Sequence, residues 1–327
     1  MTEQKKIGEF RDKVLAHLDA RFTTKAPETL YEPISYILGL GGKRMRPVLT
    51  LMAVDVFNGK IEDALDAALA IEVFHNFSLV HDDIMDDAPL RRGKVTVHEK
   101  WNINTGILSG DAMLIKSYQF FEGYEPDMFK KLVSLFSKTA IEVCEGQQYD
   151  VDFEIRNDVA IPEYLKMIEY KTAVLVAASL KMGAIIANAS HSDADAIYEF
   201  GRSLGIAFQL QDDYLDAFGD PKTFGKQVGG DIIENKKTIL YLKALEFASS
   251  DDKMELERLF SEKPEDPEAK IKRTKEIFQK TGSVAFLKKE IENYTDSAFE
   301  SLEKISAPEE NKMLLKEFGK QLMDRTI

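Results

Sequence analysis

An all-α fold is predicted by three features of the chain. Apolar residues recur at helical spacing along most of its length, no segment has the alternation of a half-buried strand, and no Asn-Gly type turn joins two apolar runs. Only 10 prolines interrupt 327 residues. One helix begins at Pro47, whose fixed φ suits a first turn, and stops at Phe57-Asn58-Gly59. The next runs from Ile61 towards Asp86, and others are predicted over 110–123, 127–154, 162–189, 192–218 and 238–248. The stretch 249–275 is rich in Glu, Lys, Asp and Pro and reads as exposed helix ends and loops. Amphipathic helices follow over 284–302 and 309–323. No shift of composition separates independent cores, so residues 1–327 read as one domain.

Hydrophobic residues make up 44% and charged residues 30%, the balance of a globular rather than a disordered or membrane chain. The first residues, Met1-Thr2-Glu3-Gln4-Lys5-Lys6, contain no apolar leader. No run of about 18 uncharged apolar residues occurs, so a cytoplasmic location without stable membrane insertion is expected. The most apolar stretch, Ala173 to Ala189, contains Lys181 and Asn188 and suits a buried bundle helix. A single cysteine, Cys144, excludes an internal disulfide, and beside Ile141 and Val143 it reads as a small buried packing residue. A net charge of -13 argues against nucleic acid as a partner, because a phosphate backbone requires a basic surface.

Two acidic runs carry the chemistry. Asp82-Asp83-Ile84-Met85-Asp86 and Asp212-Asp213-Tyr214-Leu215-Asp216 repeat the pattern D-D-x-x-D in otherwise dissimilar surroundings. Residues four apart share a helix face, so each run presents clustered carboxylates to one small volume. On an ideal wheel His75, Ser78, Leu79, Asp82 and Asp86 share one side, as do Gln209, Asp212 and Asp216. Hard oxygen ligands with few nitrogen or sulfur donors suit Mg²⁺, which keeps waters and is completed by substrate phosphates. Both runs follow strongly apolar segments, Phe74 to Val80 and Leu204 to Leu210, so solvated surface charge is the poorer reading.

Basic residues gather at Gly41-Gly42-Lys43-Arg44-Met45-Arg46-Pro47, at Arg91-Arg92-Gly93, and at Lys171-Thr172. Taken singly each reads as a loop with solvated charges. As phosphate groups, the glycines would let backbone approach the anion while Lys43 offers a point charge and Arg46 a planar fork.

In this order the motifs resemble the trans-isoprenyl diphosphate synthases of the polyprenyl synthetase family. The resemblance runs from Gly41 to Pro47 through His75 to Asp86, Arg91-Arg92-Gly93, Gly146-Gln147 with Asp150, Lys171-Thr172, Phe208-Gln209 to Asp216, Lys226, and Gly230-Asp231 with Lys236. It implies antiparallel helices around a deep central cavity, normally in a homodimer. It also implies a Mg²⁺-dependent coupling of isopentenyl diphosphate to an allylic diphosphate (dimethylallyl, geranyl or farnesyl). Asp82, Asp83, Asp86, Asp212, Asp213 and Asp216 would hold Mg²⁺ on the allylic diphosphate, with Arg91, Lys171, Lys226 and Lys236 neutralising the same group. Lys43, Arg46, His75 and Arg92 would bind isopentenyl diphosphate without metal. Thr172 and Gln209, beside Lys171, would stabilise the allylic cation. Asn76 stands where a Thr is often found, Met45 where Leu is, and the C-terminus with Arg325 is less basic than in some relatives.

Other readings fit less well. A terpene cyclase shares the first acidic motif, but its second metal site is a spaced triad that Asp212 to Asp216 does not match. A di-metal carboxylate bundle needs two Glu-x-x-His pairs, and Glu72-Val73-Phe74-His75 is one. A regulatory subunit of a heteromeric synthase usually loses one acidic motif, and both are intact. Product length in the family depends on bulky residues near the first acidic motif. Phe77, five residues before Asp82, is aromatic and Ser78 is not, with Phe74 a second barrier one turn earlier. That pattern resembles archaeal geranylgeranyl synthases and implies a twenty-carbon product, with the fifteen-carbon farnesyl product as the alternative.

Overall fold

The computed structural model describes residues 3–23, 25–220, 228–261 and 266–324. It is all-α apart from a two-residue antiparallel ribbon, β1 Leu90–Arg91 with β2 Lys94–Val95, too short to betray itself as an alternating pattern. No described helix is long and apolar enough to cross a membrane.

The helices are α1 Glu3–Arg21, α2 Glu28–Gly39, α3 Met45–Val56, α4 Leu65–Met85, α5 Val97–Lys100, α6 Ile103–Gln119, α7 Pro126–Ile155, α8 Ile161–Ile168, α9 Val174–Ile186, α10 His191–Phe218, α11 Gly230–Ile233, α12 Ile239–Phe247, α13 Ser250–Leu259, α14 Pro267–Thr281, α15 Ser283–Glu303 and α16 Glu309–Met323. They fall into two compact units. One comprises Met1–Lys138, Ala178–Ile197 and Ser306–Leu314, and the other Thr139–Ala177, Tyr198–Ile305 and Leu315–Ile327.

In the first unit α4 is central. From Ala67 to Phe77 its side chains are buried with His75 the one partial exception, so the helix is enclosed on every side, as an all-round apolar helix must be. It packs on α3 and α6, and α1 packs on α3 and α4. The buried face of α1 is Phe10, Val14 and Leu18, one residue per turn. An aromatic cluster fills the space beside α4, where Phe136 sits 5.2 Å from Phe74, 5.2 Å from Phe121 and 4.9 Å from Tyr118.

In the second unit α12 packs against α14 and α15. Leu256, Ile277 and Phe278 are buried there, so the polar stretch expected to hold exposed helix ends and loops forms two docked helices, α13 and α14. Its abundant Glu and Lys are good helix formers, and a narrow apolar stripe suffices to dock them. Two other expectations change. Cys144 is exposed rather than buried. The predicted helix over 162–189 is divided by a π-helical turn at Glu169–Ala173.

Lys237 closes the end of α7. Its ammonium donates to the carbonyls of Phe153 at 2.9 Å and Glu154 at 3.1 Å, and also to that of Arg156. These belong to the last turn or just beyond it, where helix carbonyls lack partners and a cation meets the negative end of the dipole. Lys237→Met should lower the unfolding free energy by about 1.5–3 kcal/mol, the range for hydrogen bonds from a charged group. Denaturant titration checks this, and an unchanged midpoint would refute it.

Candidate active site

Lys43, Arg44, Arg46, His75 and Arg92 of the first unit lie at the turn between α2 and α3. Gly41, Gly42 and Arg44 all have positive φ, at 78°, 112° and 51°, which curls the loop tightly. A Cβ on Gly42 would lie 2.7 Å from the Arg92 guanidinium and push it aside, and the φ of 112° itself favours glycine there. Arg92 donates to the Gly41 carbonyl across this gap. Arg44 points the other way, pairs with Glu72 and donates to the Leu38 carbonyl, and both members of the ion pair are 2% exposed. Glu72 also accepts from Asn76 at 2.9 Å. This buried pair holds the loop so that Lys43 is exposed and Arg46 is turned to His75.

Arg46 Nη1 lies 3.2 Å from His75 Nε2. Burial, and then the nearby charges of Arg46, Arg92, Arg91 and Arg44, push the His75 imidazole well below its usual pKa. His75 is therefore neutral near pH 7, and Nε2 accepts from Arg46. Burial also lowers the Arg46 guanidinium, with Glu72 opposing the shift and Arg92 adding to it. Crowded cations that depress one another are poised to receive an anion. Ser78 donates to the His75 carbonyl at 2.9 Å and so faces its own helix.

The first acidic run ends α4. Asp82 is partly exposed and Asp86, the C-cap, is exposed, whereas Asp83 is buried. Arg91, reaching back from β1, donates through Nε to Asp83 at 2.9 Å. Burial raises the Asp83 pKa, and Arg91 opposes that rise. Its second oxygen has no hydrogen-bond partner among the described residues. Phe77 lies one turn above, with ring centroids 5.5 Å from Phe74 and 4.8 Å from His81.

The second run, on α10 in the second unit, has the same pattern of exposure. Asp212 and Asp216 are partly exposed and Asp213 is buried, where it accepts from the Tyr164 hydroxyl. Burial and then the charge of Asp231 push Asp213 well above the usual carboxylate range. Asp216 accepts from the backbone of Asp231 at 3.0 Å, which ties the start of α11 to the run. Lys236 lies 3.0 Å from Glu234 and 3.8 Å from Asp231.

Lys171 and Thr172 sit in the π turn. A Cβ on Gly146 would overlap the Lys171 backbone, and one on Gly205 would come within 2.8 Å of Ala173. The widened turn thus occupies the room that two glycines on α7 and α10 leave, as π turns often do at functional sites. Lys171 pairs with Asp150. Thr172 donates to Gln209 Oε1 at 3.3 Å, and Gln209 in turn hydrogen-bonds Asp213.

Of the sequence-predicted residues, Arg46 meets His75 and Arg91 meets Asp83 in the first unit, and Thr172 meets Gln209 in the second. Lys226 and Arg325 lie outside the described residues. Sequence reasoning assigned no role to Arg44, Glu72 or Tyr164. Glu72 had a visible signal, a carboxylate in an otherwise apolar run three residues before His75, but its partner lies 28 residues away. The donor sets fit Mg²⁺: each run offers two accessible hard oxygen donors four residues apart, and the middle aspartate is fixed from behind.

Residues 27–278 match the family model described as Polyprenyl synthetase. A geranylgeranyl diphosphate synthase of Methanosarcina mazei is 40% identical over 248 residues, 75% of this chain and 76% of that protein. A geranylfarnesyl diphosphate synthase of Natronomonas pharaonis is 35% identical over 338 aligned residues, 98% of this chain and 97% of that protein. A crystal structure of a geranylgeranyl pyrophosphate synthase superposes with a TM-score of 0.93 at 52% identity, over 98% of this chain and 99% of that one. With both acidic runs, the Lys43 to Arg46 turn and the Lys171-Thr172 turn built as described, the chain belongs to the polyprenyl synthetase family of trans-isoprenyl diphosphate synthases.

Proposed function

We propose that this protein couples isopentenyl diphosphate to allylic diphosphates, head to tail, and releases geranylgeranyl diphosphate. The observation that carries the reading is the matched exposure within the acidic runs. In each, the first and last aspartates are accessible and the middle one is buried and held, by Arg91 in one run and by Tyr164 in the other. A solvated acidic patch has no need of such backing.

In this reading Asp82 and Asp86 in the first unit, and Asp212 and Asp216 in the second, would be the accessible Mg²⁺ ligands for the allylic diphosphate, with Asp83 and Asp213, expected as ligands too, positioning them from behind. Mg²⁺ supplies Lewis-acid stabilisation of the departing diphosphate. Lys171 and Lys236 neutralise the same group, and Lys226 completes the set by resemblance. Thr172 donates a hydrogen bond to Gln209, which leaves its oxygen lone pairs available to stabilise a developing allylic cation. The carbon–oxygen bond of the allylic diphosphate breaks, a carbon–carbon bond forms to C4 of isopentenyl diphosphate, and the diphosphate released takes the proton lost from C2. No side-chain base is required. Lys43, Arg46, His75 and Arg92 bind isopentenyl diphosphate, whose charge offsets the mutual repulsion of the arginines. A homodimer fits α6, on which Ile103, Ile107, Leu108 and Ile115 are between 42% and 61% exposed.

The purified chain alone, given both diphosphates and Mg²⁺, should make a twenty-carbon product and sediment as a dimer. Asp82→Ala should reduce turnover by orders of magnitude with the fold intact. A regulatory subunit would make no product without a partner chain, and that outcome would overturn the assignment. Arg46→Ala should mainly raise the KM for isopentenyl diphosphate, and a change confined to the allylic substrate in steady-state kinetics would contradict the division of the basic residues. Phe77 packs between Phe74 and His81, so Phe77→Ala opens apolar volume near the acidic run. Its product should lengthen by at least one isoprene unit, and an unchanged chain-length distribution with activity retained would place the stop elsewhere. The geranylfarnesyl synthase among its relatives makes such a shift chemically accessible within this family.

A further inference from the structure

Apart from the two acidic runs, Asp87, His98 and Glu99 bring one ring nitrogen and two carboxylate oxygens within 4.8 Å of one another. The two sides of this group are eleven residues apart in sequence, and the β1–β2 ribbon between them closes the distance. Thr96 Oγ1 donates to the Ala88 carbonyl at 2.8 Å, the Thr96 amide donates to the Pro89 carbonyl at 3.2 Å, and the Ala88 amide donates to the Asp83 carbonyl at 2.9 Å. The arrangement is therefore fixed by backbone on both flanks.

His98 provides the independent observation. It is 7% exposed, yet neither ring nitrogen has a hydrogen-bond partner among the described residues. A buried imidazole left without partners forfeits its hydration with nothing in return, so its burial here calls for a ligand. Nε2 lies 3.8 Å from Glu99 Oε1, too far for a hydrogen bond and close enough for both atoms to reach one ion. Asp87 and Glu99 are exposed, which leaves an entry path and room for water to complete the coordination.

We propose that Asp87, His98 and Glu99 form a binding site for a divalent transition-metal ion, separate from the all-oxygen acidic runs. The mixed nitrogen and oxygen set suits Zn²⁺ or Co²⁺ better than Mg²⁺, which takes oxygen ligands and keeps its waters. An ion bound there would join the residue before the ribbon to the helix after it. Arg91 and Arg92 ride on that ribbon, and the first grips Asp83 while the second reaches the Gly41 carbonyl.

The test titrates Zn²⁺ into the full chain labelled with ¹⁵N-histidine, in excess Mg²⁺, and follows the ring nitrogens of its 5 histidines. One histidine, assigned to His98 by its loss in His98→Gln, should move to the shift of a metal-bound nitrogen at one equivalent. Glu99→Gln and Asp87→Asn replace exposed side chains and should each weaken that response at least tenfold. A His98 signal that stays unmoved by Zn²⁺, or one that responds equally in both variants, would overturn the proposal. The readout is independent of turnover, so its failure leaves the assignment of the prenyl-transfer site untouched.

Discussion

The burial of α4 is the constraint on which the first unit depends. A helix enclosed on all sides cannot carry charge along its length, so its ionisable groups are confined to places where a partner can be built. Glu72 is the exception that organises the rest. Its carboxylate lies in the core and holds Arg44, and the Arg44 contact sets the conformation of the loop that presents Lys43 and Arg46. Replacing the pair by apolar groups could preserve stability, as buried ion pairs often permit, but the turn would then lose its anchor in the core.

The same logic recurs at the acidic runs. A carboxylate that must bind a cation has to stay accessible and yet be aimed. In both runs the accessible pair is backed by a buried aspartate with its own donor. Arg91 and Tyr164 are chemically unlike, one a cation and one a neutral phenol, and they come from different parts of the chain. What the two runs share is the arrangement of exposure rather than the identity of the partner. Burial raises the pKa of Asp83 against the opposing charge of Arg91, and burial together with the charge of Asp231 raises that of Asp213, so both carboxylates are held under electrostatic load.

The π turn at Glu169–Ala173 answers a different need. From the π turn Lys171 reaches Asp150 and Thr172 reaches Gln209. Widening one turn, and removing side chains at Gly146 and Gly205, lets the backbone approach α7 and α10.

The sequence by itself determined the helical class, most helix positions and the residues of the acidic and basic motifs, because these follow from local spacing. Asp82 and Asp86 share a face through the pitch of a helix alone, and the α16 bounds coincide with the amphipathic segment 309–323. Local spacing could not reveal partners. The Arg44–Glu72 pair spans 28 residues, Arg91–Asp83 needs the β ribbon to fold back, and Tyr164–Asp213 spans 49 residues. It also misjudged burial where composition misleads. Cys144 is exposed because it shares a helix face with Ile141, itself 60% exposed, while the adjacent Val143 turns inward, and the polar segments of α13 and α14 are helical because a narrow stripe of Leu256, Ile277 and Phe278 finds a core to enter. Tertiary structure alone decided which aspartate of each run is buried, since that depends on what another part of the chain brings to meet it.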